Sequence, residues 1–89
     1  MKGFARLLLV LLLLGLPSIY AVAAEDVQLF RSEQLAQQHC PADVVVWVNL
    51  PSGVYHFRGQ RWYGATKSGA FVCKKEADGY GYQASRNGQ

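Results

Sequence analysis

The residues of this chain with the widest chemical reach are two histidines and two cysteines: His39, Cys40, His56 and Cys73. Together they have the composition of a tetrahedral zinc site with two thiolates and two imidazoles. Their spacing argues against that use. His39 and Cys40 are adjacent, so both would have to turn toward one ion, and the chain has no Cys-x-x-Cys or His-x-x-x-His pair. Ser52, His56 and Asp43 are the residue types of a hydrolytic triad, but no Gly-x-Ser-x-Gly elbow accompanies them. Ser52 lies in a Pro-Ser-Gly stretch, where serine serves turn geometry. Glu76 and Asp78 are two positions apart, which on a helix points them to different faces and makes a poor acid–base pair. No catalytic group, cofactor or metal is therefore expected.

A surface is the stronger reading. Between Arg58 and Lys75 the chain carries five cations, Arg58, Arg61, Lys67, Lys74 and Lys75, and no acid. Trp62 and Tyr63 sit among them. Cations beside aromatic rings suit phosphate or acidic-sugar contacts with ring stacking. The candidate binding surface is Arg58, Arg61, Trp62, Tyr63 and Lys67. The competing use of these residues is plain packing of the rings, with the cations keeping a small protein soluble.

The compartment follows from the first 24 residues. Lys2 and Arg6 precede Leu7–Leu16, an almost pure leucine and valine run; Pro17 interrupts it, and Ala21-Val22-Ala23-Ala24 supplies small residues. That order predicts a secretory signal peptide over residues 1–24, cut after Ala24 or Ala23. Contact with a membrane is expected only if the segment stays uncleaved, and Pro17 and the alanines shorten its apolar core below that of an anchor. Removing 24 of the 89 residues leaves 65, enough for one small domain over residues 25–84 and a polar tail, 85–89, expected to be flexible. The formal charge of +3 falls to +1 with the two signal cations gone, so the basic balance gives no argument for nucleic acid. Export places Cys40 and Cys73 in an oxidising compartment, where a disulfide is the default for the chain's only cysteines. Such a bridge would add about 3–4 kcal/mol to a domain too short to build a large core.

The elements that must position these residues are short. Residues 25–30 read as a loose leader. Ser32 is an N-cap for a helix over Glu33–His39 with Leu35 and Ala36 facing inward, stopped at Pro41. Val44–Val48 is β-branched and aromatic, apolar on both faces, and reads as a central strand. Leu50–Gly53 is a turn and Val54–Phe57 the returning strand. Arg61-Trp62-Tyr63 reads as a short extended piece between Gly59 and Gly64. Ala70–Cys73 is a third strand with Phe71 and Cys73 on one face, followed by a helical turn over Lys74–Asp78 that Gly79 or Gly81 ends. The expected fold is small α+β: a three-stranded, mostly antiparallel sheet with one short helix on either side and one disulfide.

Some of these segments carry a resemblance. Asn49, Ser52 and the pair Tyr55-His56 resemble the Asn-x-x-Ser-x-x-Tyr-His opening of small domains related to the Ada-type metal-binding fold. Arg61–Gly69, Glu76-Ala77 and Gly81 are similar to exported bacterial proteins of that general form. The match covers about half of residues 25–89. Ada-type domains hold zinc through cysteines placed just beyond the tyrosine-histidine pair and after the closing helix. Phe57–Arg61 and Gln83–Gln89 contain none, so the resemblance implies the fold without the metal, with Cys40–Cys73 as a covalent replacement.

The function these residues imply is that of an exported, non-catalytic binding or structural module of the bacterial envelope, periplasmic or secreted and monomeric. Its partner is unassigned, with an envelope protein or an anionic polymer held by Arg58–Lys75 as candidates; a zinc domain or a small hydrolase are the remaining alternatives. Export with cleavage is directly measurable. The intact mass of protein recovered from periplasm or medium should begin at Ala24 or Glu25. Full-length chain confined to the membrane fraction would instead establish the anchor.

Overall fold

A computed structural model describes residues 26–89. The expected signal peptide, 1–24, lies outside the described residues. Among those described, no helix is long and apolar enough to cross a membrane.

The elements run α1 (Glu33–His39), β1 (Val45–Asn49), β2 (Val54–His56), β3 (Gly69–Cys73), α2 (Lys74–Tyr80) and β4 (Gln83–Ala84). The sheet has four strands in the order β3-β1-β2-β4, not the three expected. The extra strand is a two-residue segment that pairs parallel with β2, Val54 opposite Gln83 and Tyr55 opposite Ala84. Both residues are exposed and polar or small, so the segment has none of the β-branched or aromatic character that marks a strand in sequence. The other pairings are antiparallel, and β1 is central as its two apolar faces required.

Alternation along the paired strands divides the sheet into two faces. Val46, Val48, Tyr55, Ala70 and Val72 form the core with Ala77 of α2, and Val27, Phe57 and Tyr82 pack around them. On the other face Trp47 pairs with both His56 and Phe71, and Asn49 with both Val54 and Gly69. Here Trp47 lies edge-on to Phe71 with centroids 4.8 Å apart, and its indole N–H donates to Thr66 Oγ1 at 2.8 Å. The indole passes directly over Gly69, where any Cβ would overlap it. Glycine at 69 is thus required by the close approach of a ring rather than by a turn.

Each helix is capped as its sequence directs, with one addition from elsewhere. Ser32 Oγ accepts from the Leu35 N–H at 3.1 Å. Ala36 is fully buried, but Leu35 is 52% exposed, correcting the expected inward pair. Cys73 offers α2 no side-chain cap; the carboxylate of Asp43 accepts the Lys75 N–H at 2.9 Å, and Val44 O accepts that of Lys74 at 2.9 Å. A negative group at the start of α2 also meets the positive end of the helix dipole. Gly81, in the left-handed region at φ 106°, ends α2 and turns the chain into β4.

The remaining differences are local. Phe30 is not part of a loose leader, since it exchanges two backbone hydrogen bonds with Phe71, each 2.9 Å, and so covers the outer edge of β3. Residues 57–65 are successive turns rather than an extended piece, closed by Gln60 N–H to Phe57 O, Tyr63 N–H to Gln60 O and Ala65 N–H to Trp62 O. The tail is held at two points: Ser85 N–H donates to Tyr55 O and Gln89 O accepts from Trp62 N–H.

Cys40 and Cys73 form the expected disulfide, with Cα atoms 6.3 Å apart. It joins the end of α1 to the end of β3. Replacing either cysteine by serine should lower stability by about 2–5 kcal/mol, and by the same amount for both, because each change removes one and the same link. Urea titration of Cys40→Ser and Cys73→Ser, with thiol counting on the parent protein, checks both parts.

Candidate functional site

The four residues of the suggested zinc set do not meet. Both sulfurs are consumed in the disulfide, and no free cysteine exists among the described residues. His39 Nε2 lies 2.6 Å from Glu76 Oε2, while Glu76 Oε1 accepts the Gln28 N–H. Atoms of His39, Cys73 and Glu76 do lie within 4.8 Å of one another, but a disulfide sulfur carries no thiolate charge for a metal. The triad residues are equally dispersed. Asp43 is committed to the Val44 and Lys75 backbone, and Ser52 Oγ accepts from Asn49 Nδ2 at 3.0 Å and Val54 N–H at 3.2 Å, fastening its own turn. Among the described residues no carboxylate bonds to His56. Asp78 accepts from Tyr55 Oη at 2.6 Å and pairs with Lys74 at 2.8 Å, whereas Glu76 pairs with His39.

The cation–aromatic stripe splits into two parts. Arg58 and Tyr63 turn toward α1. The Arg58 guanidinium pairs with Glu33, its Nε donating at 2.8 Å, and Tyr63 Oη donates to the same carboxylate at 2.5 Å. The Tyr63 ring also packs edge-on to Phe71 with centroids 5.6 Å apart. This cluster fastens the turns of residues 57–65 to the helix. Arg58, though exposed, is neutralised. The Arg58 bond, then the Tyr63 bond, hold the Glu33 carboxyl below its ordinary value of 4.5. Burial, followed by the Glu33 bond, pushes the Tyr63 phenol up to about 12.

Trp62 and Lys67 face the other way, into a groove of about 770 Å³. Its walls come from three places. Strand β2 contributes Val54 and His56, and Asn49 and Ser52 stand at the turn end; the loop after β2 supplies Trp62, Thr66 and Lys67; β4 and the tail supply Gln83, Ser85, Arg86 and Asn87. Lys67 and Arg86 are its charged side chains and no Asp or Glu lines it, while Gln89, the last residue of the sequence, does. Arg61 stands beside it, its guanidinium 4.8 Å from the centre of the Trp62 ring. Two polar atoms are buried here with no hydrogen-bond partner among the described residues: His56 Nδ1 and Ser85 Oγ. His56 as a whole is 6% exposed. Unpaired buried polar atoms are costly in a finished fold, and native structures keep few of them.

Sequence reasoning placed Trp62 and Lys67 on the surface but missed Ser85, Arg86 and the role of His56. No signal for His56 existed: it lies on the Trp47 face of β2, opposite the core that Tyr55 joins, and its burial comes from that second face. Compared with known proteins, the chain matches no family model, no curated protein and no solved structure.

The Glu33 cluster has a measurable signature. Because the Glu33 value is lowered on folding, its stabilisation is complete above pH 4.5 and is lost as the pH falls through the lower folded value. Because the Tyr63 value is raised, its contribution is complete below pH 10 and is lost as the pH rises toward about 12. Ultraviolet titration should show one phenol ionising near 12, assigned to Tyr63 by its absence in Tyr63→Phe. In Glu33→Gln that phenol should titrate lower yet remain above 10, since burial is the larger cause.

Proposed function

We propose that this chain is an exported, non-catalytic binding module of the bacterial envelope, periplasmic or secreted and acting as a monomer, and that the groove beside β2 and β4 is its contact site. The observation that carries this reading is the groove itself, about 770 Å³, in which Trp62, 37% exposed, stands with Lys67 and Arg86. The disulfide supports the assignment to an oxidising compartment. The non-catalytic part is supported by the dispersal of the acid, base and nucleophile types into bonds that fasten backbone and helices. A distant relation to the Ada-type fold belongs to the same proposal; Asn49, Ser52, Tyr55 and His56 lie on one hairpin, and the disulfide stands where a structural ion would otherwise be needed.

The alternative of an anionic-polymer surface running from Arg58 to Lys75 narrows accordingly. Arg58 and Lys74 are held by Glu33 and Asp78 and Lys75 stands beside His39 and Glu76, leaving Lys67, with Arg61 beside Trp62, at the groove.

Photo-crosslinking in intact cells tests the contact site. A photoreactive residue at Ala65, exposed in the groove, should give a discrete adduct. The same residue at Gln34, exposed on α1, should give none. Equal labelling from both positions, or none from Ala65, would refute the groove as the contact site.

A further inference from the structure

The surroundings of the disulfide give its two sulfurs a second use. Ligand atoms of His39, Cys73 and Glu76 all lie within 4.8 Å of one another, and Cys40 Sγ, bonded to Cys73 Sγ, joins the same cluster. His39 ends α1 and Cys40 follows it, Cys73 ends β3, and Glu76 lies in the first turn of α2. Three elements thus bring two sulfurs, an imidazole nitrogen and a carboxylate oxygen to one place. His56, on β2, has no part in it.

The donors are held as metal ligands are held. Glu76 Oε1 accepts the Gln28 N–H at 3.0 Å, and Oε2 lies 2.6 Å from His39 Nε2. The His39 ring rests against Phe30, centroids 5.3 Å apart, and Phe30 is itself fixed to Phe71 by backbone hydrogen bonds. Contacts of this kind orient a ligand before an ion arrives. An ion can reach the place from solvent. The His39 and Glu76 side chains are 40% and 28% exposed, and both line a depression with Asp26, Gln28 and Lys75.

In the oxidised protein the sulfurs carry no thiolate charge. As thiolates, with one imidazole and one carboxylate, they complete a four-donor set that tetrahedral zinc accepts. Metal–ligand lengths of about 2.0–2.3 Å put such donors about 3–4 Å apart. The sulfurs must part and the His39–Glu76 contact must widen, both small movements within the existing cluster. Two thiolates and a carboxylate exceed the charge of the ion by one, and Lys75 beside them offsets the excess.

We propose that reduction converts the Cys40–Cys73 bridge into a zinc site made by Cys40, Cys73, His39 and Glu76. A dithiol supplies two electrons and two protons and leaves as its own disulfide, and both cysteines become thiols. Zinc displaces the two thiol protons to water and takes the Nε2 lone pair of neutral His39, whose proton sits on Nδ1. The ion then ties the end of α1 to the end of β3, as the bridge did, and adds α2. The domain has one staple for oxidising conditions and another for reducing ones.

The test uses the protein in the form to which the cell processes it, reduced by a phosphine, which is converted to its oxide. Thiol counting confirms that the bridge is open. Zinc titrated against a chromophoric chelator should bind at one equivalent to the reduced protein and not to the oxidised one. Cobalt in its place should show thiolate charge transfer and the intense visible bands of a tetrahedral ion. His39→Gln and Glu76→Gln should each weaken zinc binding by at least about tenfold, the lower end of what losing even a supporting group costs. Gln34→Ala, exposed on α1, should leave it unchanged, and melts of the oxidised variants check that each folds. Zinc should raise the melting temperature of the reduced protein, because an ion that binds the folded chain stabilises it. If the reduced chain unfolds without metal, one equivalent of zinc should restore its circular dichroism. No binding, equal binding to the oxidised protein, a cobalt spectrum without thiolate charge transfer, or unchanged binding in either variant overturns the site. So does zinc that binds without raising the melting temperature or restoring the fold, which would identify two thiolates trapping metal in an unfolded chain.

Discussion

The covalent link between Cys40 and Cys73 is the constraint on which this small fold depends. The largest fully buried side chains are Val46, Val48, Val72 and Cys73 itself. Three valines and a cystine remove little apolar surface from water, and a domain of this length has little else to set against chain entropy. The bridge acts by limiting the unfolded chain, which a small core cannot do. It also has a structural consequence. By fixing the end of α1 to the end of β3, it places Glu33 where it can hold Arg58 and Tyr63, so the turns after β2 are secured to a helix distant in sequence.

Charge is distributed by the same logic. Asp43 caps α2 from another segment, Glu76 meets His39, Asp78 meets Tyr55 and Lys74, and Glu33 anchors a loop. Each carboxylate replaces packing that the small core lacks. Exposed ion pairs are individually weak, about 0–1 kcal/mol, so their value here is positional: they fix elements whose apolar contacts are few. The by-product is an asymmetry. Acids are gathered toward the helices, and the groove between β2, β4 and the following loop is left with cations, one indole and two unsatisfied polar atoms.

Sequence by itself determined the local elements and the bridge. Ser32 begins α1, a glycine (79 or 81) ends α2, the β-branched run over Val44–Val48 carries the central strand, and Cys40 and Cys73 pair, because each depends on near-neighbour geometry or on there being a single way to pair. Tertiary structure alone decided β4, the bridge from Phe30 to Phe71, and the site. Gln83–Ala84 becomes a strand only because the αL turn at Gly81 brings it alongside β2, and Phe30 pairs only because β3 has an open edge. The stripe from Arg58 to Lys75 looked continuous along the chain, yet successive turns aim Arg58 and Tyr63 at Glu33 and leave Trp62 and Lys67 lining one groove with Arg86, on a tail that read as flexible. Spacing along a chain reports helix and strand periodicity; in a segment of turns it carries no periodicity, so which face each residue joins is fixed only by the partners that folding brings to it.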